Sequence, residues 1–169
     1  MKKEPVKILA LDTSSNVTGW ALFTNSHYTN SGVINLRHEK ELNHRMKQMC
    51  LQIMALIKEI NPTYVVVEQL NSTRNAHTVR VLSKIIGSAY NYCITTDTNY
   101  EEMSCAVWRK IVGIKGRKTE YLKQQSVNRI ATKYKKCVDD NEADAINLCE
   151  AYCSSKLRKK GSKTSITHD

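Results

Sequence analysis

The stretch "TYVVVEQL" at residues 63–70 constrains the fold more than any other part of the chain. It is a continuous apolar run interrupted by one acid, Glu68, with the length and flanks of a strand. A run without polar alternation must be covered on both faces, as in the middle of a sheet clad by helices on either side. A second such run, "VKILALD" at 6–12, ends on Asp12. Burying a lone carboxylate is costly unless it is paired or bound to a cation. Taken singly, each acid reads as a turn cap or an edge charge; both at the ends of apolar strands call for a joint explanation.

The rest of the chain supplies the other layers. "TSSN" is a turn, "TGWALFT" (18–24) a second strand, "NSHYTNSG" a second turn, and Gly32–Leu36 a third strand of an antiparallel meander. Helical spacing follows in Leu42, Met46, Met49, Ile53, Leu56, Ile57 and Ile60, and ends at "NP" (61–62). After the polar loop "NSTRN", Val79, Leu82, Ile85, Ile86 and Ala89 mark another helix. A short strand is expected at Tyr100–Ser104, then a helix on "CAVWRKIVG", a basic loop "IKGRK", a helix over 119–136 and a last helix from about Asp140. The order predicts one α/β domain over residues 1–158, a mixed central sheet flanked by helices, with a basic disordered tail at 159–169.

Composition narrows the partners. The formal charge is +10. Ten Lys or Arg and one acid, Glu120, lie between Arg109 and Lys136, which points to a polyanion, nucleic acid first. No apolar run approaches the roughly 18 residues that span a bilayer, so a soluble, intracellular protein with no membrane partner is expected. Six cysteines lack any CxxC pair or zinc-finger spacing and read as buried free thiols.

A third acid completes a pattern. Asp144 lies in "DDNEADAI" (139–146), beside the inward-facing Ala145 of the last helix. If the two acid-bearing strands are neighbours and this helix packs on them, Asp12, Glu68 and Asp144 meet at one edge of the sheet. Such oxygen ligands suit Mg²⁺ or Mn²⁺. In a basic protein this suggests phosphodiester hydrolysis with two ions at one site.

Together, "ILALDTSSNVTGWAL", "VVVEQL" and "NEADAINL" resemble the three motifs of the RuvC family of Holliday-junction resolvases, in the RNase H-like superfamily. "CAVWRKIVGIKGRK" resembles the corresponding region of phage-encoded members. The resemblance covers about residues 6–155. It implies an RNase H-like fold of βββαβαβα-type order. The implied protein is a homodimeric endonuclease that nicks four-way DNA junctions, and other branched DNA, symmetrically with Mg²⁺ or Mn²⁺. It would act in the cytoplasm, that of a bacterial host if phage-encoded, without a nucleotide cofactor. Asp12, Glu68 and Asp144 match the family's catalytic acids, and Lys118 its supporting lysine. The helix at about 75–92, with Gly87-Ser88-Ala89, matches the dimerisation helix. The basic segment and the loop after Glu68 nominate Arg74, Arg109, Lys110, Lys115, Arg117 and Lys118 for DNA.

Two positions depart from the pattern. Asn141 stands where the family has a fourth carboxylate, and Asn71 where its archetype has an aromatic wedge. At about 100° per residue, Asp140 and Asn141 both lie within about 60° of Asp144, so either could complete the metal site. Asp139 and Glu142 have capping-box spacing and are assigned to helix initiation. Trp20 and Trp108 read as core. Two other readings stand beside the nuclease: a non-catalytic junction-binding protein of the same fold, and an actin-like or sugar-kinase ATP-binding protein. The second suffers from having only six glycines and no second phosphate loop.

Overall fold

The computed structural model describes residues 4–70 and 75–163, with side chains through Lys156. The positions of Asn71 and Arg74 lie outside the described residues. Five strands, β1 (Lys7–Asp12), β2 (Val17–Thr24), β3 (His27–Asn35), β4 (Tyr64–Glu68) and β5 (Asn99–Met103), form one sheet in the order β3-β2-β1-β4-β5. β1, β2 and β3 pair antiparallel, whereas β4 and β5 run parallel to β1. The helices are α1 (Leu42–Ile60), α2 (Ala76–Thr95), α3 (Cys105–Val112), α4 (Thr119–Tyr134) and α5 (Asp140–Lys163). Among the described residues, no helix is long and apolar enough to cross a membrane.

Strand alternation sorts the core into two layers. Leu9, Leu11, Val65 and Val67 face α1 and α2, packing with Met49, Ile53, Ile57, Ile85 and Cys93. Ile8, Ala10 and Val66 face α3, α4 and α5, packing with Trp108, Ile130, Ile146, Cys149 and Tyr152. Asp12 follows Ala10 by two residues and Glu68 follows Val66 by two. The same period therefore carries both acids onto the α5 side. The parallel register, with Leu11 opposite Val67, puts them side by side at the strand ends.

The expected first turn holds. The Ser14 hydroxyl donates to the Val17 carbonyl at 2.7 Å and accepts from the Val17 N–H at 2.9 Å. The second turn is shorter than the sequence suggests. Asn25 and Ser26, both with positive φ (51° and 67°), make the hairpin alone, and β3 begins at His27. Its polar residues resemble a loop because β3 is an edge strand with one open side. α5 continues to Lys163. Two smaller expectations also change. Cys137 is exposed and Cys50 half-buried, so only four of the six free thiols are buried. Glu142 does not return to cap α5. Asp139 does accept from the Glu142 N–H at 2.9 Å, but the Glu142 carboxylate takes the Ser31 hydroxyl at 2.6 Å and the Lys136 ammonium. It thereby ties the start of α5 to β3.

One glycine sets how close α5 comes. Gly19 is opposite Asp12 in the β1–β2 register, and the Asn141 carbonyl lies over it. A Cβ at Gly19 would be 2.0 Å from that oxygen, a backbone atom that cannot swing aside. Gly19→Ala should therefore lift the first turn of α5 and destabilise the protein by about 2 kcal/mol or more, the scale of overpacking. Chemical denaturation measures it; unchanged stability would show that α5 does not need this approach.

Candidate active site

Three elements bring the acids together. Asp12 comes from the end of β1, Glu68 from the end of β4, and Asp144 from the second turn of α5. Asp12 feels the charges of Glu68, Asp144 and Asp140, so all four carboxylates share one electrostatic neighbourhood. Beside them opens a cleft of about 290 Å³, lined by Asp12, Glu68, Gln69, Asn75 and Thr78 among others. α2 starts there, with Asn75 as its N-cap.

Each acid has a different environment. Glu68 accepts from the indole N–H of Trp108 at 2.7 Å, and Trp108 is fully buried. Trp108 is core, as read from the sequence, but it also orients a site carboxylate. Asp144 accepts the Ser126 hydroxyl through Oδ1, while its Oδ2 faces the Arg109 guanidinium at 3.9 Å. Arg109 also stacks on the Trp108 ring, 5.0 Å from its centroid. Asp12 has no hydrogen-bond donor among the described residues.

These surroundings shift the acids unequally. Burial pushes Asp12 well above the usual carboxylate range, and repulsion from Glu68, Asp144 and Asp140 adds to it; Arg109 opposes. Glu68 rises through burial, partly offset by the Trp108 bond and Arg109. Burial raises Asp144 to about 6 despite Ser126 and Arg109. Asp140 goes the other way, held down by its ion pair with Lys123 at 2.5 Å. The site thus gathers more negative charge than Arg109 and Lys123 balance.

That imbalance fits a hard divalent cation. The donors are carboxylate oxygens, those of Asp12, Glu68 and Asp144 raised in pKa chiefly by burial, and Asp12 lacks a competing donor among the described residues. Among the described residues, no three Asp, Glu, His or Cys side chains converge tightly enough to form a metal centre as they stand. Arg109, in among the acids, is the resident counter-charge.

The other nominated residues separate. Asn141 turns its amide to Asp140, donating at 3.3 Å. Arg109 belongs to the acid cluster. With Lys110 and Lys115 it lines a second cleft, of about 530 Å³, between α3 and α4. Gln125 clasps the Lys115 backbone from both sides, at 3.3 and 2.7 Å. Arg117 and Lys118 are exposed, and Lys118 makes no hydrogen bond or ion pair with the acids among the described residues. Lys123 and Ser126, both on α4, reach the acids and were not singled out in the sequence. A buried indole, which needs an acceptor, was the available signal for Trp108. No local signal marks Ser126.

Comparison with known proteins gives the family and the fold. A family model described as crossover junction endodeoxyribonuclease RuvC matches residues 8–151. Proteins called crossover junction endodeoxyribonuclease RuvC from Vibrio parahaemolyticus and Legionella pneumophila (strain Philadelphia 1) are 25% and 26% identical. The alignments cover 94% of both chains for the first and 90% of both for the second. Among solved structures, the T. thermophilus RuvC in complex with Holliday junction substrate superposes with a TM-score of 0.69 at 10% identity, covering 90% of this chain and 96% of that one. The yeast mitochondrial Holliday junction resolvase Ydc2 gives 0.63 at 12% identity, covering 92% and 81%.

The raised acids carry a pH signature. Groups whose pKa is higher folded than unfolded contribute stability that is complete below about pH 4 and lost as pH rises through the folded value, about 6 for Asp144. Glu150 has the opposite sign. Burial raises it, but hydrogen bonds from Arg129, Lys133 and Tyr134 outweigh this and bring it to about 2, so its contribution is complete above pH 5. Between pH 5 and 7.5 the wild type should therefore lose more stability than Asp144→Asn when no divalent ion is added. Mg²⁺ should restore stability at pH 7.5 and have little effect at pH 5, where protons compete. Thermal denaturation of both proteins across this window checks it; parallel curves would contradict the assignment.

Proposed function

The chain belongs to the RuvC family of crossover junction endodeoxyribonucleases, and on that footing we propose that it hydrolyses phosphodiester bonds in branched DNA, four-way junctions first. The observation that supports the proposal is that Asp12, Glu68 and Asp144 share one electrostatic neighbourhood at a sheet edge, with Arg109 of the basic segment among them. Asp12, Glu68 and Asp144 would hold Mg²⁺ or Mn²⁺. Bound there, the ions would supply a water of lowered pKa and neutralise charge on the scissile phosphate. Asp140 is the better candidate for the fourth acid than Asn141. It adds charge to the cluster, whereas the Asn141 amide contributes none and is turned to Asp140.

The protein's own residues have distinct parts in this reading. Trp108 and Ser126 hold Glu68 and Asp144 at fixed angles. Arg109 balances the acids until other cations do so, and is then within reach of a substrate phosphate. Lys110, Lys115, Arg117 and Lys118 would hold the DNA backbone, with affinity that falls with salt. Lys118 would act there by its charge at the rim rather than by a contact with the acids.

We place the homodimer on α2. Gly87 has open space where a Cβ would be, and Tyr90 and Ile94, on the same outer face, are 50% and 58% exposed. A small residue flanked by exposed large ones suits close approach of a second copy of the helix. Two active sites would then serve the two strands of one junction.

Two experiments test this reading. Asp12→Asn should abolish cleavage of a labelled four-way junction in Mg²⁺ and in Mn²⁺ while junction binding persists; normal cleavage would remove Asp12 from the site. Tyr90→Glu with Ile94→Glu should give a monomer by light scattering and convert paired cuts into single nicks. A variant that stayed dimeric would move the interface elsewhere.

A further inference from the structure

Behind Asp144, α4 and α5 share a polar seam at helical spacing. Ser126 and Arg129 on α4 face Asp144, Asn147 and Glu150 on α5. Ser126 and Asn147 are essentially fully buried, 1% and 0% exposed. The Arg129 guanidinium donates to Asn147 Oδ1 at 2.6 Å and to both oxygens of Glu150. The Asn147 amide donates to Ser126 Oγ at 2.7 Å, and its nitrogen also faces the Ser126 carbonyl at 3.4 Å. The Ser126 hydroxyl donates to Asp144 Oδ1.

We propose that Arg129, Asn147 and Ser126 form a one-way hydrogen-bond relay that orients Asp144, with Asn147 as its directional element. The direction follows from donor chemistry. A guanidinium can only donate, so it selects the Asn147 oxygen and turns the amide nitrogen toward α4. That nitrogen can only donate, so it occupies a lone pair of Ser126 Oγ. The Ser126 proton is then left for Asp144. Glu150 anchors the far end, held also by Lys133 and by Tyr134 at 2.9 Å. The relay satisfies Asp144 Oδ1 and leaves Oδ2 turned toward Arg109 and otherwise open to a ligand. The nuclease reading uses Asp144 as a ligand and gives no part to Asn147 or Arg129. They are positioning residues.

The inference rests on the nuclease reading, and one substitution separates it from a merely structural role. Asn147→Asp changes almost no volume and keeps the Arg129 contact, but it buries a carboxylate oxygen against the Ser126 carbonyl, so thermal stability should fall while the fold is retained. Its added negative charge should, by attraction alone, strengthen cation binding near Asp144. The relay gives the opposite result: the new carboxylate competes with Asp144 for the single Ser126 proton, and the orientation is lost. Titration of Mn²⁺ into the intact protein without DNA should show affinity at least about tenfold weaker for Asn147→Asp. Ser126→Ala should lose a similar factor, and the double variant no more than either single one. Junction binding in EDTA should be unchanged in all three. Wild-type affinity for Mn²⁺ in Asn147→Asp, or additive losses in the double variant, would overturn the relay while leaving the nuclease reading intact. A wild type that neither binds Mn²⁺ nor cuts junctions would overturn that reading, and the relay with it.

Discussion

Carboxylates brought together in a half-buried site repel one another, and much of this fold is arranged to hold them there. Asp12 and Glu68 cannot separate, because each ends a strand fixed by the parallel β1–β4 ladder. Asp144 cannot retreat, because α5 is locked to the sheet at several points. Gly19 admits its first turn, Glu142 ties it to Ser31 and Lys136, and the apolar face from Ala145 to Cys153 is buried against β1 and β2. Burying each large apolar side chain contributes about 1.5–3 kcal/mol. Summed over a helix face, that exceeds the strain implied by one carboxylate raised to about 6.

The sequence disclosed these acids because each broke a local pattern. An acid at the end of an apolar strand, or next to buried alanines in a helix, is visible against its neighbours, and period-two alternation then fixes which face it takes. The supporting residues break no pattern. Ser126, Asn147 and Lys123 are ordinary polar residues on helices. Their roles depend on the register of α4 against α5, which packing decides over some twenty residues of chain. The same limit explains Glu142. Its capping spacing is real, yet a partner more than a hundred residues away takes its side chain. β3 misled for a related reason: an edge strand has too little burial to impose alternation on its polar residues.

Asp140 and Asn141 show how one turn of helix can divide tasks. Both are near enough to Asp144 by helical angle. The backbone of Asn141 is committed to the contact over Gly19, and its side chain is spent on Asp140. Asp140 is committed to Lys123. An acid already paired with a lysine keeps its charge at neutral pH, whereas an unpaired fifth carboxylate would raise its neighbours further. A neutral residue at 141 therefore limits the repulsion that the fold has to contain.

The basic charge must be read with the same bookkeeping. Of the ten Lys and Arg between 109 and 136, Arg109, Lys123, Arg129, Lys133 and Lys136 face internal acids: Asp144, Asp140, Glu150 twice, and Glu142. Those five are engaged within the fold or belong to the candidate site. Lys110, Lys115, Arg117, Lys118 and Lys135 are exposed and make no ion pair among the described residues. Three of these five, Lys115, Arg117 and Lys118, lie on the α3–α4 connection, and Lys110 lies near the end of α3, beside the cleft that Arg109 also lines. The surface proposed for a polyanion is thus smaller than the raw charge run suggests, and Arg109 joins it to the acids. This partition gives the two halves of the task different mechanics. The acids stand on strands and a packed helix, where their geometry is set in advance. Most of the exposed cations stand on a connection whose backbone is clasped at Lys115, while their side chains make no ion pair among the described residues and would be free to follow a phosphate backbone in the proposed function. A nuclease that must accept a branched, pliable substrate but cut at one defined bond needs that combination of a rigid centre and an adaptable rim.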